Sequence, residues 1–446
     1  MTGGELFSND DSCIINGVCI DSRQAKSGEV FFALIGEVTD GHRFIPSAIN
    51  NGVSAIVVNK KQDDVTVPQI VVEDTFKALQ NLAKAYIAKF PIPYIAITGS
   101  SGKTTTKDIT AAVLSAKYDV LKTQGNLNST TGVPLTLFDL APHHQIGVIE
   151  MSMSHPGEIL GNCDIVRPEV SVITNIGLCH IEFLGTQDNI FKAKTEAFAY
   201  FTKDSTAIVN GEDKYFMEYE TEDFNLIKVG IDSGGLRAKD IVYETDRMFF
   251  TVNIGGKDER FEFLYPGRHN VLNCLSAIAV AVKYGLSADE IRKGLLSFVP
   301  SKNRMDIAKD DFALLINDTY NANPDSMKAA LDVLCHMAEG RKIAVMGDMF
   351  ELGDISEEVH YDCGKYAAER NIDLVYTVGG FKNCYKDGFD SMKSAGECIS
   401  FEDKPALCRY LKETTKKGDT ILFKASRGME LDEVYNFLKE AIKDNE

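Results

Sequence analysis

Short apolar runs recur along the chain, separated by stretches in which apolar positions return at helical spacing. "EVFFALIG" (29–36) and "VSAIVV" (53–58) predict two strands around a short helix. "YIAIT" (94–98) predicts a strand that enters a Gly-Ser turn, followed by a helix from about Lys103 to Ser115. "GVIEM" (147–151) and "VSVITNIG" (170–177) are again apolar and β-rich, with helical stretches between them. The pattern repeats in "ALLIND" (313–318), "KIAVMGD" (342–348), "LVYTVGG" (374–380) and "TILFKA" (420–425), with helices expected over 357–370 and 403–414. Strands alternating with helices imply mostly parallel sheets covered by helices. Pro91 and Pro93 stiffen a linker before one strand, and Pro300 follows a helical pattern before another. Three segments result: 1–92, 93–300 and 301–446. The expected fold class is α/β in three domains. A small α/β domain comes first, a central P-loop-type domain with a mostly parallel sheet follows, and a Rossmann-like domain ends the chain.

Composition narrows the function. Apolar residues make up 44% of the 446 positions, enough for ordinary cores. A net charge of −18 argues against a nucleic-acid or acidic-membrane binder, because phosphate backbones need a basic face. The ten cysteines form no C-x-x-C pair, so a disulfide scaffold or zinc site is not expected and a reducing cytoplasm fits. The start of the chain has no basic stretch followed by an apolar run, so no signal peptide is expected. No apolar run approaches the ~20 residues of a membrane helix, so no membrane insertion is expected. Nothing in the sequence demands more than a monomer.

The chemistry starts at "AITGSSGKTTT" (96–106). The usual phosphate-binding loop has four residues between its first Gly and Gly-Lys-Ser/Thr. Here only Ser100 and Ser101 separate Gly99 from Gly102. Strand, glycine turn and Lys-Thr at a helix start nevertheless make an anion site, because free N–H groups and the helix dipole face the ligand. Gly99, Ser100, Ser101, Gly102 and Thr105 would cradle phosphate, Lys103 would reach the β- and γ-phosphates of ATP, and the Thr104 hydroxyl would ligate Mg²⁺. The plain alternative is an ordinary glycine turn.

Other stretches carry a resemblance that spans nearly the whole chain. They are "DSRQAKSGEVFFALIGEVTDGHRFI" (21–45), "QGNLNSTTGVPLTL" (124–137), "IEMSMSHPGEI" (149–159), "TNIGLCHIEFLG" (174–185), "PGRHNVLNCLSAIAVA" (266–281), "NDTYNANPDSM" (317–327) and "VMGDMFELG" (345–353). Together with the shortened loop they resemble the Mur ligase superfamily, ATP-dependent ligases that build the peptidoglycan stem peptide. The last two stretches are most like the member that adds D-alanyl-D-alanine to UDP-N-acetylmuramoyl-tripeptide.

The resemblance implies roles residue by residue. Glu150, at a strand end, and Thr104 would hold one Mg²⁺; the alternative for Glu150 is a surface carboxylate. His180 would face a second Mg²⁺ rather than play a structural part. Lys194, fourteen residues on, would become a carbamate by reaction with CO₂ and ligate that ion, with Lys192 as the competing candidate. An unmodified lysine has no acceptor to offer a cation. Asn270 would reach adenine, against a helix-capping role; Asn273 shares its helix face. Arg304, Asp318 and Asn321 would approach the ribose and phosphates, while Asn323, Asp325 and Ser326 would face the reaction centre or dipeptide, or merely turn into a helix. Lys424, Ser426 and Arg427 would hold the dipeptide carboxylate, against a surface role. Asp21, Ser22, Arg23, Gly41 and His42 look like uridine-diphosphate contacts, against a turn with an exposed charge pair. Asn126 and Asn128 lie in the acceptor-side loop.

Ser129 stands where the family's loop commonly has Asn, and Ser152 and Ser154 stand where Gly and Asn are usual. These departures touch the substrate side and leave the ATP machinery intact. Rival readings are another ligase of the superfamily (diamino-acid-adding, folylpolyglutamate-type or cyanophycin-type), a motor or transport ATPase, and a non-catalytic nucleotide-binding subunit. The short loop disfavours the motor. Retention of Lys103, Glu150 and Lys194 disfavours the inert subunit.

Overall fold

A computed structural model describes residues 2–8, 13–36, 38–309 and 311–443. Three sheets organise it, as the three-domain α/β expectation requires. The first contains β1 (Glu5–Phe7), β2 (Gly17–Cys19), β3 (Glu29–Phe32), β4 (Ala55–Val58) and β5 (Gln69–Val71), in the order β1-β5-β4-β3-β2. Only β1 runs antiparallel. Helices α1 (Ile45–Asn50) and α2 (Thr75–Ile87) accompany it. Side chains of β3 alternate between two cores: Val30 and Phe32 join one, Phe31 and Ala33 the other. Burial on both faces explains why these strands read as unbroken apolar runs.

The second sheet is built from β6 (Tyr94–Thr98), β7 (Val120–Lys122), β8 (Ile146–Glu150), β9 (Val170–Ile173), β10 (Thr206–Asn210), β11 (Asn225–Gly230), β12 (Leu236–Tyr243), β13 (Met248–Ile254) and β14 (Lys257–Phe263). Its order is β14-β13-β12-β11-β10-β9-β6-β8-β7. Its helices are α3 (Lys103–Leu114), α4 (Gly132–Phe138), α5 (Glu158–Val166), α6 (Ile181–Leu184), α7 (Gln187–Thr195), α8 (Arg268–Lys283) and α9 (Ala288–Leu296). The strands β11 to β14 were not anticipated, and β12 to β14 form an antiparallel meander. Their signal was alternation: Met248, Phe250 and Val252 are buried while Asn253 is exposed. Ile254 pairs directly with Lys257 across Gly255-Gly256, which adopt φ of 59° and 87°. Positive φ at both turn residues is what a two-residue hairpin of the primed type demands, and glycine meets it without strain.

The third sheet, β15 (Asp306–Lys309), β16 (Ala313–Asp318), β17 (Lys342–Gly347), β18 (Leu374–Val378), β19 (Glu397–Phe401) and β20 (Asp419–Lys424), has the order β15-β16-β20-β17-β18-β19. All pairs but β15–β16 are parallel. Helices α10 (Pro324–Met337), α11 (Ser356–Glu369), α12 (Lys382–Asp390), α13 (Lys404–Thr414) and α14 (Asp432–Lys443) complete the domain. Two cores again receive alternate residues of one strand: Ala344 and Met346 on one side, Ile343 and Val345 on the other. No helix among the described residues is long and apolar enough to cross a membrane.

Helices α11 and α12 meet through glycines. A Cβ at Gly364 would lie 1.9 Å from Tyr385 O, and one at Gly388 would lie 1.9 Å from Tyr361 O. Alanine gains about 1 kcal/mol of helix propensity over glycine. Separating two packed backbones costs about 1–3 kcal/mol or more, so the clash wins. Gly364→Ala is therefore expected to lower the melting temperature; an unchanged or raised melting point would refute this packing argument.

By compactness the chain divides into two units. One comprises 1–96, 118–153 and 157–169; the other comprises 97–117, 154–156 and 170–446. The expected site residues fall within one or the other.

Candidate active site

In the larger unit, the glycine-serine loop leads into α3 with Gly102 as its N-cap at φ 78° and no side-chain cap. The helix's own bonding begins with Thr106 N–H to Gly102 O at 2.8 Å, so the first-turn N–H groups point out of the helix end. Gly99 adopts φ 144°, and a Cβ there would lie 1.8 Å from Thr174 Oγ1. Both glycines are thus required by the backbone. Asn175, which sequence reasoning did not single out, shapes the loop. Its Oδ1 accepts from Ser100 N–H at 3.1 Å and Ser101 N–H at 2.8 Å, and its Nδ2 donates to Ser101 Oγ at 3.2 Å. Gly177 N–H donates to Ser100 Oγ at 2.9 Å. Lys103 Nζ folds back onto Gly99 O at 2.8 Å.

Lys103 lies within electrostatic reach of both His180 and Lys194. Lys194, near the end of α7, is only 1% exposed, whereas Lys192 is exposed. Burial strips water from the Lys194 amine and pushes its pKa down to about 7; Lys103 adds repulsion, and Cys179 partly opposes both. His180 holds φ 63°, and its Nδ1 lies 2.6 Å from Glu351 Oε2. Burial works against its charge, but hydrogen bonds to Cys179 and Glu351 outweigh that and raise its pKa. The hydrogen bond to His180 holds the Glu351 carboxyl below its usual range. Glu351, also at φ 63°, accepts Glu182 N–H at its carbonyl at 3.3 Å. Leu178 and Ile181 pack against the core that contains Met349 and Leu352. Cys179 and Glu351 were not named from the sequence.

Asn270 is the third residue of α8 and makes no cap; Gly267 takes that place. Its Nδ2 donates to Tyr265 O at 3.1 Å, and its Oδ1 accepts from Asn273 Nδ2 at 3.2 Å. Asn273 Oδ1 in turn accepts from Thr106 Oγ1 at 3.0 Å, tying α8 to the loop helix. Asn323 caps α10 in a capping box with Ser326, and Pro324 starts the helix, so these residues do form the turn that the plain reading described. Asn323 Nδ2 also lies 3.5 Å from Ser100 O. Asp325 Oδ2 lies where a Cβ on Gly177 would be 2.2 Å away. Lys424 is buried, which removes its surface reading; it pairs with Asp318 and donates to Asn321 O at 3.1 Å. Ser426 accepts Phe350 N–H at 2.9 Å. Arg304 and Arg427 both lie over the Tyr320 ring, at 3.9 and 5.4 Å from its centroid.

In the smaller unit, Glu150 ends β8 and is 1% exposed, so it is not a surface carboxylate. Asn128 Nδ2 donates to Glu150 Oε1 at 2.7 Å. Asn126 is exposed. Ser129 Oγ accepts Gly132 N–H at 3.2 Å and so helps to start α4. Asp21 and Arg23 form a bidentate pair with the arginine 86% exposed, as the turn reading anticipated. Ser22 is buried, and its carbonyl accepts from Asn51 Nδ2. Gly41 approaches Leu34 so closely that a Cβ would lie 2.6 Å from its carbonyl oxygen. His42 bonds Asp40 through Nδ1 at 2.7 Å and accepts Asn59 N–H at Nε2. Among the described residues, no group of three or more His, Cys, Asp or Glu side chains is placed to hold a metal.

Comparison with known proteins agrees with the three-domain α/β fold. Residues 14–87 match the Mur ligase family catalytic domain, 97–281 the Mur ligase middle domain, and 303–427 the Mur ligase glutamate ligase domain. UDP-N-acetylmuramoyl-tripeptide–D-alanyl-D-alanine ligase of Bacillus subtilis (strain 168) is 36% identical, over 97% of this chain and 94% of that protein. The crystal structure of MurF from Acinetobacter baumannii superposes with a TM-score of 0.90 at 33% identity, covering 98% and 97% of the two chains. MurF from Thermotoga maritima, solved in complex with ADP, gives 0.87 at 28% identity, covering 98% and 100%. These matches span nearly the whole chain, and the chain belongs to the Mur ligase family.

Proposed function

We propose that this chain is an ATP-dependent, ADP-forming amide ligase that adds D-alanyl-D-alanine to UDP-N-acetylmuramoyl-tripeptide in peptidoglycan precursor synthesis. The observation that carries this reading is the placement of Lys103, at a helix start with no side-chain cap, within electrostatic reach of His180 and Lys194. The tripeptide carboxylate attacks the γ-phosphorus of ATP, the bond to the β-phosphate oxygen breaks, and ADP leaves. The dipeptide amine then attacks the acyl carbon, loses a proton, and phosphate departs. Charge is the obstacle, since the first step joins two anions.

The α3 N-terminus and Lys103 receive the triphosphate, and Asn270 faces adenine. Arg304, Asp318 and Asn321 serve the ribose and phosphates. Asn323, Asp325, Ser326, Ser426 and Arg427 serve the dipeptide side, with Lys424 fixing Asp318 and Asn321 between them. Asp21, Ser22, Arg23, Gly41 and His42 bind the uridine diphosphate, and Asn126 and Asn128 the muramyl side. Magnesium, when bound, screens the repulsion between triphosphate and carboxylate. Thr104 and Glu150 each carry the kind of hard oxygen donor it prefers. For a second ion, His180 and a Lys194 carbamate are the donors. The lowered pKa of Lys194 supports the carbamate, since only a neutral amine attacks CO₂. His180 is paired with Glu351 and must give up a proton to serve as a ligand. Domain boundaries near 92 and 301 fit the gaps between the family matches. All ten cysteines are free thiols, in keeping with a reducing cytoplasm, and we take the active form to be a monomer.

A coupled assay of phosphate release against a panel of acceptors and amines tests the reading. Release is expected only with UDP-N-acetylmuramoyl-tripeptide and D-alanyl-D-alanine together. Equal release with a single diamino acid or glutamate as the amine would overturn it.

A further inference from the structure

We infer that Ser152 is a positioning residue for the cation-binding carboxylate, acting on Glu150 through Asn128. The inference rests on the reading of Glu150 as a magnesium ligand, and it departs from the expectation that the serine at 152 touches the substrate side alone. Ser152 lies two residues beyond Glu150, just past the end of β8. Its N–H donates to Asn128 O at 2.8 Å, which pins the backbone of the acceptor-side loop to the end of the strand. Its hydroxyl lies 3.0 Å from Asn128 Oδ1 and 3.2 Å from Asn128 O. Both neighbours are acceptors, so the single hydroxyl hydrogen is directed at them. With Oδ1 held by that hydrogen, the amide's other end, Nδ2, faces Glu150 Oε1 at 2.7 Å. The reverse amide orientation would set two acceptors against each other at that distance.

Thr123 Oγ1 adds a backbone anchor by accepting Glu150 N–H at 3.0 Å. The carboxylate is therefore held at its backbone by Thr123 and at Oε1 by an amide that Ser152 orients. Glu150 is 1% exposed, so water is a poor substitute for the amide donor. Loss of the serine hydroxyl leaves Asn128 Oδ1 without that donor and frees the amide to turn away. A ligand carboxylate that must then be ordered by the arriving cation binds it more weakly, whereas the loop's nucleotide contacts are untouched. The effect belongs on the magnesium requirement more than on turnover.

The test compares Ser152→Ala, Ser152→Thr and Glu150→Gln with the parent protein. Two quantities are measured: the magnesium concentration that half-saturates phosphate release, and the magnesium dependence of ADP binding by calorimetry. Removal of a supporting partner typically costs about tenfold in metal affinity. Ser152→Ala is expected to raise both magnesium midpoints by about that factor, with a smaller loss in kcat at saturating magnesium. Ser152→Thr keeps the hydroxyl and is expected to keep the parent's midpoints. Should Ser152→Ala fail to fold, Ser152→Gly removes the same hydroxyl and is expected to shift the midpoints alike. A folded Ser152→Ala or Ser152→Gly with unshifted midpoints overturns the role of Ser152, even when Glu150→Gln abolishes the magnesium response. A native magnesium response in Glu150→Gln overturns the assignment of the carboxylate, and this inference with it.

Discussion

Lys103→Ala is expected to lower turnover by more than about a hundredfold, the rate equivalent of about 3 kcal/mol of lost transition-state stabilisation. The ammonium lies at the N-terminus of α3, where the first-turn N–H groups already favour an anion, so lysine and helix act on the same charge. Its Nζ is satisfied by Gly99 O and Ser100 O at 2.8 and 3.3 Å. Those neutral acceptors are readily exchanged for phosphate oxygens, which form stronger, charge-assisted bonds. Alanine at the first helical position favours the helix, so the fold should survive. Steady-state kinetics with varied ATP, alongside a thermal melt, separates the outcomes. A folded variant with near-parental turnover would show that the loop binds no reacting phosphate.

Lys194→Ala should be nearly inactive yet folded, and the reason is again charge. In the proposed mechanism a first cation would screen the β- and γ-phosphates, while the acceptor carboxylate would still meet the γ-phosphate as an anion. A carbamate on Lys194 would supply an oxygen donor and a negative charge for a second cation. The amine must be neutral to add CO₂, and its pKa of about 7 sets the direction of the pH effect. The neutral fraction rises as pH climbs through about 7 and vanishes well below it. At fixed dissolved CO₂, parental activity should therefore climb across that range, beyond any change in ATP binding. Millimolar short-chain acids should restore part of the activity of Lys194→Ala, because the missing part is a small carboxylate. Full activity of this variant without added acid would remove Lys194 from the mechanism and make the exposed Lys192 the next residue to test.

What was legible in the sequence follows a physical division. β3, β16 and β17 are buried on both faces, so they stand out as apolar runs whatever their partners. The β12–β14 meander puts residues such as Glu262 and Arg260 between buried ones, and a reading tuned to apolar runs passes over it. At the site, residues inside one motif were found because the motif's backbone places them: Gly99 to Thr105 sit at one turn and one helix start. Contacts between motifs were not. Asn175 reaches Ser100 and Ser101 because β6 and β9 end side by side, and Glu351 reaches His180 from 171 residues away. Spacing along the chain carries no trace of either. Lys194 is buried and Lys192 exposed, a difference that two lysines on one short helix do not advertise.

The contact of His180 with Glu351 bears on how such ligases exchange parts. The boundary proposed near residue 301 would be the natural seam for recombination between relatives. Yet residues 178–182 lie on the third domain's side of that seam in energetic terms: Leu178 and Ile181 pack into its core, and His180 and Glu182 bond Glu351. A chimera cut at the linker alone would join a histidine loop from one parent to a glutamate loop from another. The inheritable module is therefore discontinuous, the carboxy-terminal domain together with the short loop after β9, and a graft that carries both keeps a matched pair.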